Sequence, residues 1–266
     1  LGNNSSRFVI DKASIANAVY GGYFSLWRAT GQPGQGAIPT ATASCNNTTL
    51  GSMGFRQQVS PATSYGGWAN AVCSNSTVTL EVHDRLRHMG GLNATLTTAQ
   101  PVALTLNGIT ADNMERRIGD ANFSDVQWWA EWYTDTGATA SNATVTVTYN
   151  DGTTGNLTTF AAGGTVRAGR MIPLNQLIPA AASGKYIRSI DSVQLSASTA
   201  TAGNFGFTCT RPRLTMPLLL ANKMEIFDWA QLGFPEIFNS SCLTIIELCS
   251  TTATGTVRGG GKIIHG

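Results

Sequence analysis

Charge is what this chain has least of. Asp, Glu, Lys and Arg together make up 12% of its 266 residues, about half the share of an ordinary globular protein. The formal net charge is only +2. A basic footprint for nucleic acid built on net charge is therefore excluded, and nucleic acid is not expected as a direct partner. Helix-favouring Glu and Lys are scarce while Thr, Ser, Asn, Ala and Gly abound, a balance that favours sheets and ordered loops. No run reaches the roughly 18–20 apolar residues of a membrane span, and the first residues lack the apolar core of a signal peptide. Neither membrane contact nor secretion is expected. The chain begins at Leu1 rather than Met, and processing and a start lying upstream of that residue both stay open.

Cysteine is sparse and odd in number. Cys45, Cys73, Cys209, Cys242 and Cys249 contain no Cys-x-x-Cys pair, so neither a zinc ribbon nor a complete disulfide framework is suggested, and buried free thiols are expected. His83 and His88 stand five apart, one residue too far to share a helical face as two ligands do in His-Glu-x-x-His. No metal and no cofactor are expected. Phosphate-binding Gly-rich loops ending in Lys-Ser/Thr and Gly-x-Ser-x-Gly elbows are missing too, which removes the usual nucleotide and serine-hydrolase signatures. Asn-x-Ser/Thr triplets occur at Asn46, Asn75, Asn93, Asn122, Asn142, Asn156 and Asn239. A chain this rich in Asn, Ser and Thr generates them by composition, and glycosylation is not expected.

What is present is alternation. Ala143, Val145, Val147 and Tyr149 alternate with Thr144, Thr146 and Thr148, the period of a half-buried strand. Asn150-Asp151-Gly152 then supplies a hairpin turn, with Leu157 to Phe160 returning. Similar alternation runs through Val78, Leu80 and Val82, through Leu92, Ala94 and Leu96, and through Val102, Leu104 and Leu106. It recurs at Val193, Leu195 and Ala197 and at Phe205, Phe207 and Cys209. Strands recurring with Gly- or Asn-rich turns, without long intervening helices, predict a mainly β chain: an antiparallel β-sandwich or jelly roll.

Around that sandwich, assigned to residues 77–217, the sequence predicts two extensions. Residues 1–76 read as an N-terminal arm: Asp11 caps a short helix carrying Ile15 and Val19, and a Gly- and Pro-rich run follows. Its anchors are Tyr23, Phe24, Leu26 and Trp27, which pack either on their own domain or on another subunit. Residues 218–266 read as a helix-containing extension, with Asn222 capping a helix that runs through Leu232 and stops at Gly233. Phe238 to Cys249 fits a strand or a buried helix, and the final Thr-Val-Arg-Gly-Gly-Gly-Lys-Ile-Ile-His-Gly reads as a flexible tail.

Candidate chemistry is thin. The segment Asp125 to Tyr133 is an aromatic strand with Val126, Trp128, Ala130 and Trp132 on one face. The other face carries Trp129, Glu131 and Tyr133, a carboxylate between two aromatics that could stack and hydrogen-bond a sugar, or else pack in a second layer. Asp84, Asp112, Glu115, Asp120, Asp125 and Glu131 supply carboxylates enough for a glycosidase, yet no motif singles out a pair at the required separation. Arg85, Arg87, Arg116 and Arg117 suit ion pairs at an interface. No catalytic residue is assigned.

Three stretches, SLWRATGQPGQGAIPTATA from Ser25, HDRLRHMGGLNATLTTAQ from His83 and IGDANFSDVQWWAEWYTDTGATASNATVTVTYNDGT from Ile118, resemble structural proteins of tailed-bacteriophage virions. That resemblance implies a capsid decoration or cement protein, non-enzymatic and homo-oligomeric. Such a protein is assembled in the host cytoplasm and displayed on the capsid exterior, and its partners are the major capsid protein and copies of itself. It brings no catalytic residues. A tail or receptor-binding protein using Trp129, Glu131 and Tyr133 as a glycan platform is the alternative reading. A secreted carbohydrate-binding module is a third, which would need a signal peptide and disulfides.

Overall fold

The computed structural model describes residues 4–59, 61–165 and 167–266; Leu1 lies outside them. The chain is mainly β, with antiparallel sheets. It divides into two compact units, each described by itself. The first comprises Leu1–Ala37, Cys45–Arg85 and Arg211–Gly266, the second Ile38–Ser44 and Leu86–Thr210.

The first unit corrects the arm-and-tail reading. Its main sheet has five strands in the order Glu225–Phe227, Ser64–Cys73, Val257–His265, Ser5–Lys12, Gly31–Gln32. The presumed flexible tail is thus the central strand, paired antiparallel with Ser5–Lys12 on one side and Ser64–Cys73 on the other. Residues assigned to an arm and to an extension are neighbours in one ladder. No helix follows Asp11: the strand Ser5–Lys12 runs through it, and beyond that strand Ala16 makes only an isolated bridge to Ala253. Phe8, Ile10 and Lys12 are buried while Arg7, Val9 and Asp11 point out, a period of two hidden in the sequence because one of its inward residues is a lysine.

Lys12 is tolerated inside because its ammonium donates to the carbonyls of Ala29 at 3.0 Å and Pro33 at 2.6 Å, replacing the hydration it loses. Opposite this sheet, Leu243–Leu248 lies between Tyr23–Ser25 and the Val78 to Arg85 portion of Val78–Leu92. Phe8, Ile10, Ala69, Ala71 and Val257 from one layer share a core with Val78, Leu80, Val82, Leu243 and Ile245 from the other. The ambiguous Phe238 to Cys249 segment is therefore a strand from Leu243 to Leu248.

The helix predicted from Asn222 is much shorter. Glu225–Phe227 is an edge strand, and the helix spans only Trp229–Leu232. Asp228 caps it, accepting from the amides of Ala230 and Gln231 at 2.9 and 3.0 Å, while Gln231 Oε1 accepts from the Asp228 amide at 2.9 Å. This reciprocal box satisfies the first-turn donors. Gly233, at φ +73°, ends the helix as expected.

The second unit is also two-layered. In one sheet Ile187–Leu195 lies between Asn142–Tyr149 and Gln100–Thr105, with Thr154–Asn156 beyond. In the other, Gln127–Thr134 pairs with Arg170–Pro173 and with the Asn204 to Thr210 portion of Asn204–Leu218. The inward residues read from alternation, Val145, Val147, Trp128, Trp132, Phe205 and Phe207, meet in one core. The alternation at Ala94 and Leu96 is not strand, because the preceding strand ends at Leu92. Ala197 likewise lies past the end of Ile187–Leu195.

Candidate protein-interaction face

Most of the residues singled out from sequence are used inside their own unit. Phe24, Leu26 and Trp27 are buried and Tyr23 half-buried. The Trp27 indole donates to the Ala37 carbonyl at 2.8 Å, and the Arg85 guanidinium lies 4.4 Å from its ring centroid, a cation–π contact between two buried groups. Phe24, Leu26 and Trp27 are thus core, not anchors for a neighbour. Arg87 donates to the Thr105 carbonyl. Arg117 is buried and reaches the Asp112 carbonyl at 3.4 Å, while Arg116 is exposed on the same short helix, Met114–Ile118. The four arginines therefore do not form one interface.

The proposed glycan platform is closed. Trp129, Glu131 and Tyr133 do share a face, yet all three are buried. Trp129 Nε1 donates to Thr210 Oγ1 at 2.8 Å, Tyr133 Oη donates to Glu131 Oε2 at 3.1 Å, and Thr208 Oγ1 donates to the same carboxylate oxygen. Their polar atoms hydrogen-bond along and across the strand pair Gln127–Thr134 and Asn204 to Thr210, and no ring is presented to a sugar. Asp84, another carboxylate considered for hydrolysis, is buried and accepts from Ser241 Oγ at 2.8 Å and the Cys242 amide at 2.9 Å. His83 is bonded to Glu81 at 2.8 Å, and among the described residues no group of three or more His, Cys, Asp or Glu could hold a metal ion.

The feature that sequence reading missed is the outer face of the first unit's five-stranded sheet. Residues opposite one another in an antiparallel ladder point the same way, so the register fixes which side chains meet. Lys262 stands between Arg7 and Trp68, Ile264 between Ser5 and Tyr65, and Arg258 between Asp11 and Val72. Gly260 lies between Val9 and Asn70, and Asn70 faces Ile226. Ile226 is 68% exposed and Val9 61%.

An aromatic strip continues this face at one end. The Phe234 ring stacks on Tyr65, with centroids 4.8 Å apart and planes 3° off parallel, and Trp229 meets Phe234 edge-on at 6.4 Å. The capped helix and Gly233 set these rings in place, the Phe234 amide donating back to the Trp229 carbonyl at 3.0 Å. Trp229 is 61% exposed. Aromatic and aliphatic side chains contiguous on a surface mark a contact site, whereas single exposed ones do not.

The face also carries net positive charge, with Arg7, Lys262 and Arg258 against Asp11. Arg7 and Lys262 are directly opposite each other, a like-charge pair that costs stability unless an anion sits over it. Arg258 pairs with Asp11 at 3.2 Å, an exposed bridge of little energetic weight. At the inner end of this strand, His265 bonds Ser64 Oγ at 2.9 Å and Ser6 Oγ at 3.0 Å. Burial, reinforced by Arg56, lowers its pKa, so it serves as a neutral link between strands. The sequence signal for the face was there in Arg7, Val9 and Asp11 and in Arg258, Lys262 and Ile264. Reading it required knowing that these two distant segments pair.

No family model matches the chain, and no curated protein matches it. Among solved structures it is similar to the infectious bursal disease virus VP2 subviral particle, at 11% identity over 98% of this chain and 79% of that one, with a TM-score of 0.17. It is also similar to the structure of the Gt strain of the same virus, at 12% identity over 98% of this chain and 80% of that one, with a TM-score of 0.16. A TM-score this low leaves function to the residues themselves.

Proposed function

We propose that this chain is a structural, non-catalytic component of a virion, of the tailed-phage kind that its three stretches resemble. It would bind the capsid exterior and other copies of itself and stabilise the shell through surface contact. The observation that carries this reading is the outer sheet face of the first unit: Trp229, Phe234, Tyr65 and Ile264 form an apolar strip at one end, and Ile226 and Val9 stand exposed one row beyond Arg7 and Lys262. Burying such a strip between protein surfaces is favourable at roughly 25 cal/mol per Å² of apolar area. The exposed aromatics supply the rigid, large-area anchors that dominate interface energetics.

Contact by a rigid face replaces contact by arms, since the segments once assigned to arms are strands of that face. The test is cryo-electron microscopy of intact particles carrying the chain, with and without Trp229→Ala and Ile226→Asp. The expected result is regularly arrayed density with the sheet face turned toward a neighbouring subunit, lost or thinned in the variants. Density confined to a tail, or particles that lack the chain altogether, would overturn the reading.

A further inference from the structure

The geometry points to a head-to-tail contact between copies of this chain, in which the basic, apolar sheet face of one copy's first unit docks on an acidic, apolar pocket in the second unit of the next. The pocket holds about 230 Å³. Leu106, Ile109, Ile118 and Phe123 supply its apolar lining, and the exposed carboxylates Glu115 and Asp120 stand on it. Its volume is below the 300 Å³ or so at which small-molecule sites begin, which suits protruding side chains better than a metabolite.

Charge complementarity selects the occupant. Arg7 and Lys262 are cross-strand neighbours of like sign with no carboxylate paired to either among the described residues, and Glu115 and Asp120 would provide the anion. Asp120 is held ready, its carboxylate accepting from the Asn122 amide at 2.8 Å and from Ser124 Oγ at 3.1 Å, which fixes its position before docking. The apolar parts match as well: Val9 and Ile264 flank the two cations on the face, and four apolar residues line the pocket between and around the two carboxylates. Apolar burial with a matched charge pair at its margin is the pattern of a specific protein contact.

Because face and pocket are different surfaces, the contact is heterologous. Each copy gives its face to one neighbour and its pocket to another, so the contact propagates into a ring or an extended array rather than stopping at a dimer. The inference rests on the structural role proposed above and names the contact through which that role would be exercised.

A charge exchange tests it. R7E/K262E makes the face acidic, and E115K/D120K makes the pocket basic; in sedimentation velocity at low salt the wild type should associate with rising concentration. Each double variant alone should associate at least about tenfold more weakly, since its own face and pocket now repel. An equimolar mixture of the two should recover wild-type association, because every face then meets a pocket of opposite sign. A wild type that stays monomeric at every concentration, or a mixture no better than its components, would overturn the contact.

Far-UV circular dichroism establishes that each variant is folded. Should a reversal unfold its unit, the neutral pairs R7Q/K262Q and E115Q/D120Q take its place, each expected to weaken association and to blunt its salt dependence. Particles that lack the chain would remove the virion role and leave a successful exchange standing. A failed exchange in a chain that does occupy particles would remove this contact alone.

Discussion

Phe8 packs its ring where the side chain of Gly261 would be: a Cβ on Gly261 would lie 2.5 Å from Phe8 Cζ and 2.4 Å from the Trp68 carbonyl oxygen. Its neighbours are equally tight, a Cβ on Gly259 reaching 2.1 Å from the Asn70 carbonyl oxygen and one on Gly260 reaching 2.6 Å from that of Phe8. The triple glycine, which reads as flexibility in the sequence, is what lets the last strand fit between two others. Replacing Gly261 by Val should therefore destabilise the first unit by about 1–3 kcal/mol or more through overpacking. Deleting residues 257–266 should prevent that unit from folding. Urea denaturation of the Val variant and proteolysis of the truncated chain check both outcomes.

Glu247 is buried one residue before the end of the Leu243–Leu248 strand, and neither carboxyl oxygen has a hydrogen-bond partner among the described residues. The Cys249 thiol beside it is a weak donor, and burial raises the Glu247 pKa from the usual 4.5 to about 8. The folded protein holds this proton where the unfolded chain has lost it. Stability from this group is therefore complete below about pH 4.5 and is lost as pH rises toward 8, with an effect on the order of a few kcal/mol. Thermal unfolding between pH 5 and pH 8 should show the decline, and Glu247→Gln should flatten it. Lys12, lowered by burial to about 8 from 10.5, acts in the opposite sense above that window: the unfolded chain then binds more protons, so its contribution rises between pH 8 and 10.5.

Because Trp129 is buried and its indole bonded to Thr210, host polysaccharide should neither quench nor shift tryptophan emission through it. Trp129→Ala should cost about 3–5 kcal/mol of stability, as removal of a buried indole does. Fluorescence titration and equilibrium denaturation measure the two effects, and saturable quenching abolished by Trp129→Ala in a folded variant would contradict the closed face.

None of the five cysteines is in a disulfide, and all five are buried. Burial holds the Cys73 thiol up at about 11 and pushes Cys249 and Cys242 higher than an ordinary thiol, so little nucleophilic thiolate forms near neutrality. A disulfide-exchange reagent at pH 8 should label no cysteine in the folded protein and all five after denaturation. Rapid native labelling of any one would show local opening of its strand.

The sequence alone determined that this protein is built from antiparallel strands. Low charge, scarce helix formers and the alternation of Ala143 to Tyr149 with its Asn150-Asp151-Gly152 turn suffice for that, because the period of a strand is a local property of the backbone. It also placed the Gly233 stop and the inward faces of Trp128, Trp132, Phe205 and Phe207. Only the tertiary structure decided what covers each face. Alternation marks Trp129, Glu131 and Tyr133 as one side of a strand, but that all three are buried, and that their polar atoms meet Thr208 and Thr210, depends on segments that lie far along the chain. For the same reason Arg7, Val9, Lys262 and Ile264 became a surface only when the first and last strands paired, since strand pairing, unlike strand formation, is fixed by contacts between distant segments.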